Sequence, residues 1–511
     1  MAREFYNYLK THAREKPGHP AVIDQDQPLT YQQLVDRVER FAGALSGWDL
    51  GPESKLGLFC LNQKEYLIAY LGALLKGVPV VPFNFLLGPE DLVFIAKNAG
   101  IDSMLVDPVF LKPETVPFFR GFKNRLLVDP ANGSELGPGA LGFDEFLRRG
   151  DPRQGMIPHE RNPSIPDVIL YTSGTTARPK GVMLDEKQFD INCDGILAHL
   201  DLNGNDRAIV ALPLFHSFGN IMALILLRVG GTLILLRQFA PKTILSSVAR
   251  HRATALPLVP TIYTFLIEIF ARGGYDVSTL RCCISGGASL PQSLLKRVEE
   301  TLDVTVIEGY GLTETSPVIS VNRTAVGSVP GSVGPVLPNV EVKIVGEQGD
   351  PLPPGQVGEI WVKGETVMRG YWKNPEETRK ILAPGGWLKT GDLGHMDEKN
   401  RLYISAGRKK DLIIRAGENV SPLTVENTLM NHPAVAEVAA VGVPDARLGE
   451  KVLVCVVLRE GARVKDHELR EFCRGNVPAF MLPDRIHFLE SLPKNAAGKI
   501  LKKQLRDLAG I

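Results

Sequence analysis

The chain has 511 residues, with 44% hydrophobic and 23% charged side chains, the balance of an ordinary soluble globular protein. That length exceeds one comfortable hydrophobic core, so at least two folding units are expected. Fifty-eight basic residues against 57 acidic ones leave a net charge of +1. This removes the electrostatic case for nucleic acid or an anionic membrane as the main partner, so any cationic site must be local.

The N-terminal stretch "MAREFYNYLKTHAREKPGHP" mixes charges and aromatics and lacks the apolar core of a signal peptide. Next, "LTYQQLVDRVERFAGAL" places Thr30 as a helix N-cap with Gln33 three residues on, followed by Leu34, Val38, Phe41 and Leu45 at helical spacing. Apolar runs then alternate with helical patterns: "KLGLFCLN", "GVPVVPFN", "DSMLVD", "DVILYTS", "DRAIVALPL", "GTLILL", "ATALPLV", "RCCISGG" and "VTVIEGY". Strands that are apolar throughout and separated by helices predict parallel sheets covered on both faces. Two longer runs, Tyr66 to Pro82 and Ile221 to Leu236, imitate membrane spans. Lys76, Gly77 and Pro79 interrupt the first, and Arg228, Gly230 and Gly231 the second, so each reads as a buried helix turning into a buried strand.

From Gly327 the chain becomes rich in glycine and proline, with strand-like stretches at Val340 to Val345 and Val357 to Lys363; this is a small antiparallel β region. After "RLYISAGRKKDLIIRAGENVSP", Ser421 can cap a helix that has Pro422 at its first position. The fold class is therefore α/β. A large N-terminal domain, residues 1–409, carries the α/β sheets and a small β-barrel-like region at about 327–405, and residues 410–511 form a small α+β domain. Six cysteines without a CxxC pair and ten histidines without metal-ligand spacing point to reduced thiols in a cytoplasmic compartment and to no structural zinc.

One stretch stands out chemically. "YTSGTTARPKGVML", Tyr171 to Leu184, leaves the apolar run "DVIL" and collects Thr172, Ser173, Gly174, Thr175, Thr176 and Lys180. Backbone N–H groups, hydroxyls and a point charge at the end of a strand suit phosphate oxygens. A Walker loop needs GxxxxGK[ST]; here the lysine lies six residues after Gly174 and follows Pro179, so that spacing fails. The plain alternative is an exposed polar turn.

The stretch resembles the phosphate-binding signature of the adenylate-forming superfamily, and "PLFHSFGN" together with "EGYGLTETSPVIS" looks most like the bacterial fatty acyl-CoA synthetases within it. Further signatures follow in order: "EGYGLTETSP", "WLKTGDLG", "GRKKDLIIRAGENVSP" and "LPKNAAGKILKKQLR", so that the matches span Tyr171 to Arg506. The resemblance implies an AMP-forming acid–thiol ligase: a carboxylic acid is activated by ATP as acyl adenylate with release of pyrophosphate, then transferred to CoA. It implies that residues 172–176 and Lys180 embrace the β- and γ-phosphates, that Thr313 contacts the α-phosphate, and that Glu314 holds Mg2+. Tyr310 and Gly311 would meet adenine together with Gly286, Gly287 and Ala288; Asp392 would accept the ribose hydroxyls and Arg408 would add a donor. Lys499 would bridge the carboxylate and the α-phosphate. Lys410 occupies the hinge position, about which the small domain would rotate to withdraw Lys499 and present Gly417 to a pantetheine tunnel.

The acyl group would lie against "PLFHSFGN", with Phe215 and Phe218 as walls and Gly286 at its side. His216 would be either a gate or a packed core residue. No cation that would read a second carboxylate is evident there, so a medium- or long-chain fatty acid is the first expectation. An aryl or alicyclic acid is the second, and delivery to a carrier protein in place of CoA is the remaining alternative. A luciferase-type oxygenase finds no motif that demands it, and a non-catalytic AMP sensor is disfavoured by the presence of Lys499. The expected partners are small molecules alone, with no nucleic acid and no transmembrane segment; peripheral membrane contact and a homodimer stay open.

Overall fold

The computed structural model describes residues 3–129, 136–172, 178–237, 240–445, 447–494 and 498–508, together with the backbone but not the side chains of Ala406, Lys410 and Leu508. These residues fall into two compact units. The first comprises Met1–Pro257, Gly311–Val318 and Gly364–Leu382; the second comprises Leu258–Tyr310, Ile319–Lys363 and Ala383–Ile511.

In the first unit the expected capping box is present. Thr30 Oγ1 accepts from Gln33 N at 3.3 Å, and Gln33 Oε1 accepts from Thr30 N at 3.0 Å, which starts the helix Tyr31–Leu45. Both span-like runs resolve as read. The helix Lys64–Lys76 ends at left-handed Gly77 before the strand Val80–Pro82, and the helix Ser217–Val229 ends at left-handed Gly230 before the strand Thr232–Leu235. Among the described residues no helix is long and apolar enough to cross a membrane.

One sheet of this unit orders its strands Ala140–Gly142, Asn124–Leu127, Ser103–Val106, Leu56–Phe59, Val80–Pro82, Val168–Thr172 and Lys180–Leu184. All neighbours are parallel until the last pair, which is antiparallel. This departs from the all-parallel expectation, and it puts Thr172 opposite Lys180 in the ladder. A core of Phe59, Val81, Phe83, Met104, Val106, Phe119 and Ile169 covers the sheet. A second set of strands runs Gln27–Thr30, Pro20–Asp24, Thr232–Leu235 and Arg207–Val210, with Ala208 bridged to Ala255.

In the second unit the strands Cys282–Ser285 and Thr305–Gly311 are parallel, with the helix Gln292–Leu302 between them in the chain. The glycine- and proline-rich region forms an antiparallel sheet ordered Gly334–Pro335, Arg401–Arg408, Trp387–Met396, Gly358–Lys363 and Glu341–Val345. Beyond it, Val435–Asp445 and Gly449–Leu458 make the long pair of a separate sheet, and their two-residue period feeds two cores. Val438, Ala440, Val452, Val454 and Val456 face the helices Pro422–Met430 and Asp466–Arg474, while Ala439, Val441, Leu453 and Cys455 face Leu492 and Leu505. The helix Pro422–Met430 is capped by Ser421 as read, through Thr424 N at 3.2 Å. The boundary read at Lys409 to Asp411 falls on a short 3-10 turn inside this unit.

Candidate active site

The first unit gathers the groups read as phosphate contacts. Lys180 opens the strand Lys180–Leu184; its ammonium is ion-paired with Glu377 and lies 5.3 Å from the centre of the Tyr371 ring. Lys380 pairs with the other oxygen of Glu377, and the two lysines hold that carboxyl down at about 2. Glu314 Oε1 accepts from the Tyr371 hydroxyl at 2.8 Å, and Glu314 O accepts from Met368 N at 2.9 Å. Thr313 Oγ1 sits 3.2 Å from Ser217 Oγ, which opens the apolar helix Ser217–Val229. A Cβ at Gly181 would lie 2.8 Å from Ile169 Cγ2 and 3.0 Å from the Tyr171 ring, so a larger residue there would have to displace these side chains. Ser173, Gly174, Thr175 and Thr176 lie outside the described residues.

The residues read as the acyl wall start from the same place. Phe215 is buried and meets Phe85 edge-on at 5.0 Å. His216 Nδ1 accepts from Phe218 N at 3.3 Å, so the imidazole caps the apolar helix; Phe218 is half-buried.

The second unit gathers the groups read as nucleoside contacts. Asp392 and Arg408 are register partners on adjacent strands, with Arg408 Nε 3.5 Å from Asp392 Oδ1. Asp392 Oδ2 accepts from the Tyr310 hydroxyl at 2.6 Å, and Asp392 N donates to Thr390 Oγ1 at 3.0 Å. Burial and the Asp392 carboxylate push the Tyr310 phenol well up, so it stays a proton donor. Gly286 is buried, whereas Gly287, at φ 80°, and Ala288 are exposed beyond the strand Cys282–Ser285.

The Lys499 loop reaches the same neighbourhood. A Cβ on Gly498 would lie 3.0 Å from Val259 Cγ2 and 3.3 Å from Thr261 Oγ1, and a Cβ on Gly287 would lie 3.6 Å from Val259 Cγ1. Lys499 itself is exposed. Ala416 and Gly417 both adopt left-handed backbone at φ 52° and 85°, and Ala416 N donates to Leu448 O at 2.7 Å.

The AMP-binding enzyme family profile matches residues 9–372, and that of the AMP-binding enzyme C-terminal domain matches residues 424–499. The chain belongs to the AMP-binding enzyme family. It is 34% identical to a feruloyl-CoA synthase from Amycolatopsis over 97% of this chain and 96% of the relative. It is 33% identical to a long-chain-fatty-acid–CoA ligase from Haemophilus influenzae over 97% and 92%. An anthranilate CoA ligase solved with anthranoyl-AMP superposes with a TM-score of 0.89 at 26% identity, covering 99% of this chain and 97% of the other. This AMP-binding enzyme is an AMP-forming acid–thiol ligase of mixed α/β fold, for which ATP and CoA are consistent co-substrates.

Sequence reasoning missed three side chains of this AMP-binding enzyme. Tyr371 and Glu377 sit in "GYWKNPEET", 57 residues beyond Glu314 and 197 beyond Lys180, and no spacing rule links such distances. Their only sequence signal is local: Asn374 followed by Pro375 starts the helix Pro375–Ile381 and so fixes where Glu377 points. Glu308 was visible as the first letter of "EGYGLTE" but was not singled out. It is buried, accepts from Leu290 N at 3.0 Å, and is pushed up to about 8 by loss of hydration.

Proposed function

We propose that this enzyme adenylates an apolar monocarboxylic acid, with a medium- or long-chain fatty acid as the first candidate, and passes the acyl group to CoA. The observation that carries the substrate class is the 3.2 Å approach of Ser217 Oγ to Thr313 Oγ1. A carboxylate brought to the α-phosphate at Thr313 then has its tail beside a helix whose buried residues include Ile221, Met222, Leu224 and Ile225. An aryl or alicyclic acid is the second reading, supported by the feruloyl and anthranilate specificities of the relatives.

A carboxylate is a poor electrophile, and transfer to the α-phosphate gives it a leaving group; the protein contributes positioning and charge neutralisation. In this reading Lys180 and the loop before it hold the departing pyrophosphate. Tyr310, Asp392 and Arg408 hold the nucleoside, and Lys499 neutralises the charge that develops between carboxylate and α-phosphate. Glu314, a carboxylate with one oxygen committed to Tyr371, would be the residue to hold a Mg2+ ion. Such an ion supplies charge neutralisation on the triphosphate when bound. The small domain, residues 410–511, would turn about Lys410 for the second half-reaction, bringing Gly417 toward the thiol.

The test is AMP formation across fatty, aryl and alicyclic acids, with and without CoA. CoA-dependent AMP release with thioester formed from fatty acids supports the first reading, and preference for aryl acids selects the second. AMP release that ignores CoA and yields no thioester overturns both.

A further inference from the structure

Glu314 and Lys180 are held by one segment that neither of their motifs contains. Tyr371 is fixed there from several sides. Its N donates to Thr378 Oγ1 at 2.9 Å, and its backbone bridges Val182. The neighbouring Trp372 donates N to Gly181 O at 2.7 Å and Nε1 to Asn98 O at 3.0 Å. From this anchored, buried position the hydroxyl donates to Glu314 Oε1 and the ring lies under the Lys180 ammonium.

The two contacts do different work. A carboxylate whose Oε1 is committed to a donor cannot spin about its last torsion, so the direction of Oε2 is set as well. Lysine is a point charge on a flexible stem, and the ring together with Glu377 removes that freedom. Because Lys180 and Lys380 share the single charge of Glu377, the trio keeps a net positive charge, and Lys180 is oriented without being cancelled.

We infer that Tyr371 is a positioning residue of the phosphate half: its hydroxyl orients Glu314 for a divalent cation on the nucleotide, and its ring, with Glu377, holds Lys180 in place. The inference rests on the proposed reading of Lys180 and Glu314 as phosphate and magnesium contacts.

Calorimetric ATP binding to the full chain, in Mg2+ and in EDTA, separates the two contacts. Tyr371→Phe keeps the ring and removes one charge-assisted hydrogen bond; it should weaken binding about tenfold in Mg2+ and less than about twofold in EDTA. Adenylation kinetics should show the same loss as a raised KM for MgATP, with kcat within about threefold. Glu377→Gln acts through Lys180 and should weaken binding about fivefold in both conditions. Equal losses for Tyr371→Phe in Mg2+ and EDTA, or no loss, overturn the inference. So does a Mg2+-selective loss in Glu377→Gln, which keeps the inference falsifiable if Tyr371→Phe does not fold. Lys180→Ala is the reference: if it binds ATP like the parent, the phosphate reading itself falls. If it is weakened while Tyr371→Phe and Glu377→Gln are not, only the positioning role falls.

Discussion

Asp392 and Arg408 face each other across two neighbouring strands, whereas Lys180 and Glu377 meet across 197 residues of chain. In the nucleoside half, register does the positioning: once Trp387–Met396 and Arg401–Arg408 pair, backbone hydrogen bonds put the carboxylate beside the guanidinium. In the phosphate half, among the described residues, no ladder joins the charged groups. Lys180 and Glu314 depend on packing and on the buried phenol of Tyr371. The contrast teaches that the nucleoside half should tolerate distant substitutions, while the phosphate half should be sensitive to changes in a segment that carries no recognised motif.

The largest expected effect tests whether chemistry, as opposed to binding, sits in the second unit. Lys499→Ala should slow adenylation by about a thousandfold or more while sparing thioester formation from supplied acyl adenylate. Pyrophosphate exchange and a single-turnover thioesterification assay report the two steps, and equal loss of both refutes their separation by domain rotation.

Each unit also holds one buried glutamate pushed up to about 8: Glu186, which accepts from Phe5 N at 2.9 Å, and Glu308. A carboxyl whose folded value lies above its ordinary 4.5 contributes stability that is complete below that value. The contribution is lost as pH rises through about 8, because only the unfolded chain then gives up its proton freely. Glu308→Gln keeps the acceptor for Leu290 N and removes the titration. Chemical denaturation should therefore show the parent losing on the order of 3 kcal/mol for each of the two glutamates between pH 5 and 8, and the variant losing one such share less. Glu186→Gln makes the same measurement for the first unit, and a pH profile unchanged in both variants excludes the burial argument.

Asp392→Ala removes the acceptor of Tyr310 and the partner of Arg408 together. ATP affinity should fall on the order of thirtyfold, about 2 kcal/mol, with a similar loss in Mg2+ and EDTA. A Mg2+-selective loss would instead make this half part of the metal geometry. The smallest effect is a control at a residue with no assigned role in either half: Thr30→Ala deletes the side-chain half of a capping box and should cost about 1 kcal/mol in the denaturation midpoint without changing ATP affinity.

Much of this was legible in the amino-acid order because it is local. Each apolar run read as a strand forms one, since continuous burial of both faces leaves few alternatives, and glycines 77 and 230 end their helices by adopting the left-handed backbone. The hairpin Pro20–Thr30 escaped notice because its turn uses Gln25 and Asp26 at positive φ, where glycine is the usual signal. The antiparallel return at Lys180 escaped for another reason: an apolar strand does not announce the direction of its neighbour.

The sequence by itself determined the fold class, the family and the order of its motifs, because turns, caps and two-residue periods act within a few residues of chain. Only the tertiary structure decided that His216 caps a helix, that Phe215 meets Phe85 edge-on, and that Tyr371 and Glu377 stand behind Glu314 and Lys180. Side chains held by packing have partners chosen by proximity in space, and proximity over 57 or 197 residues leaves no mark on spacing.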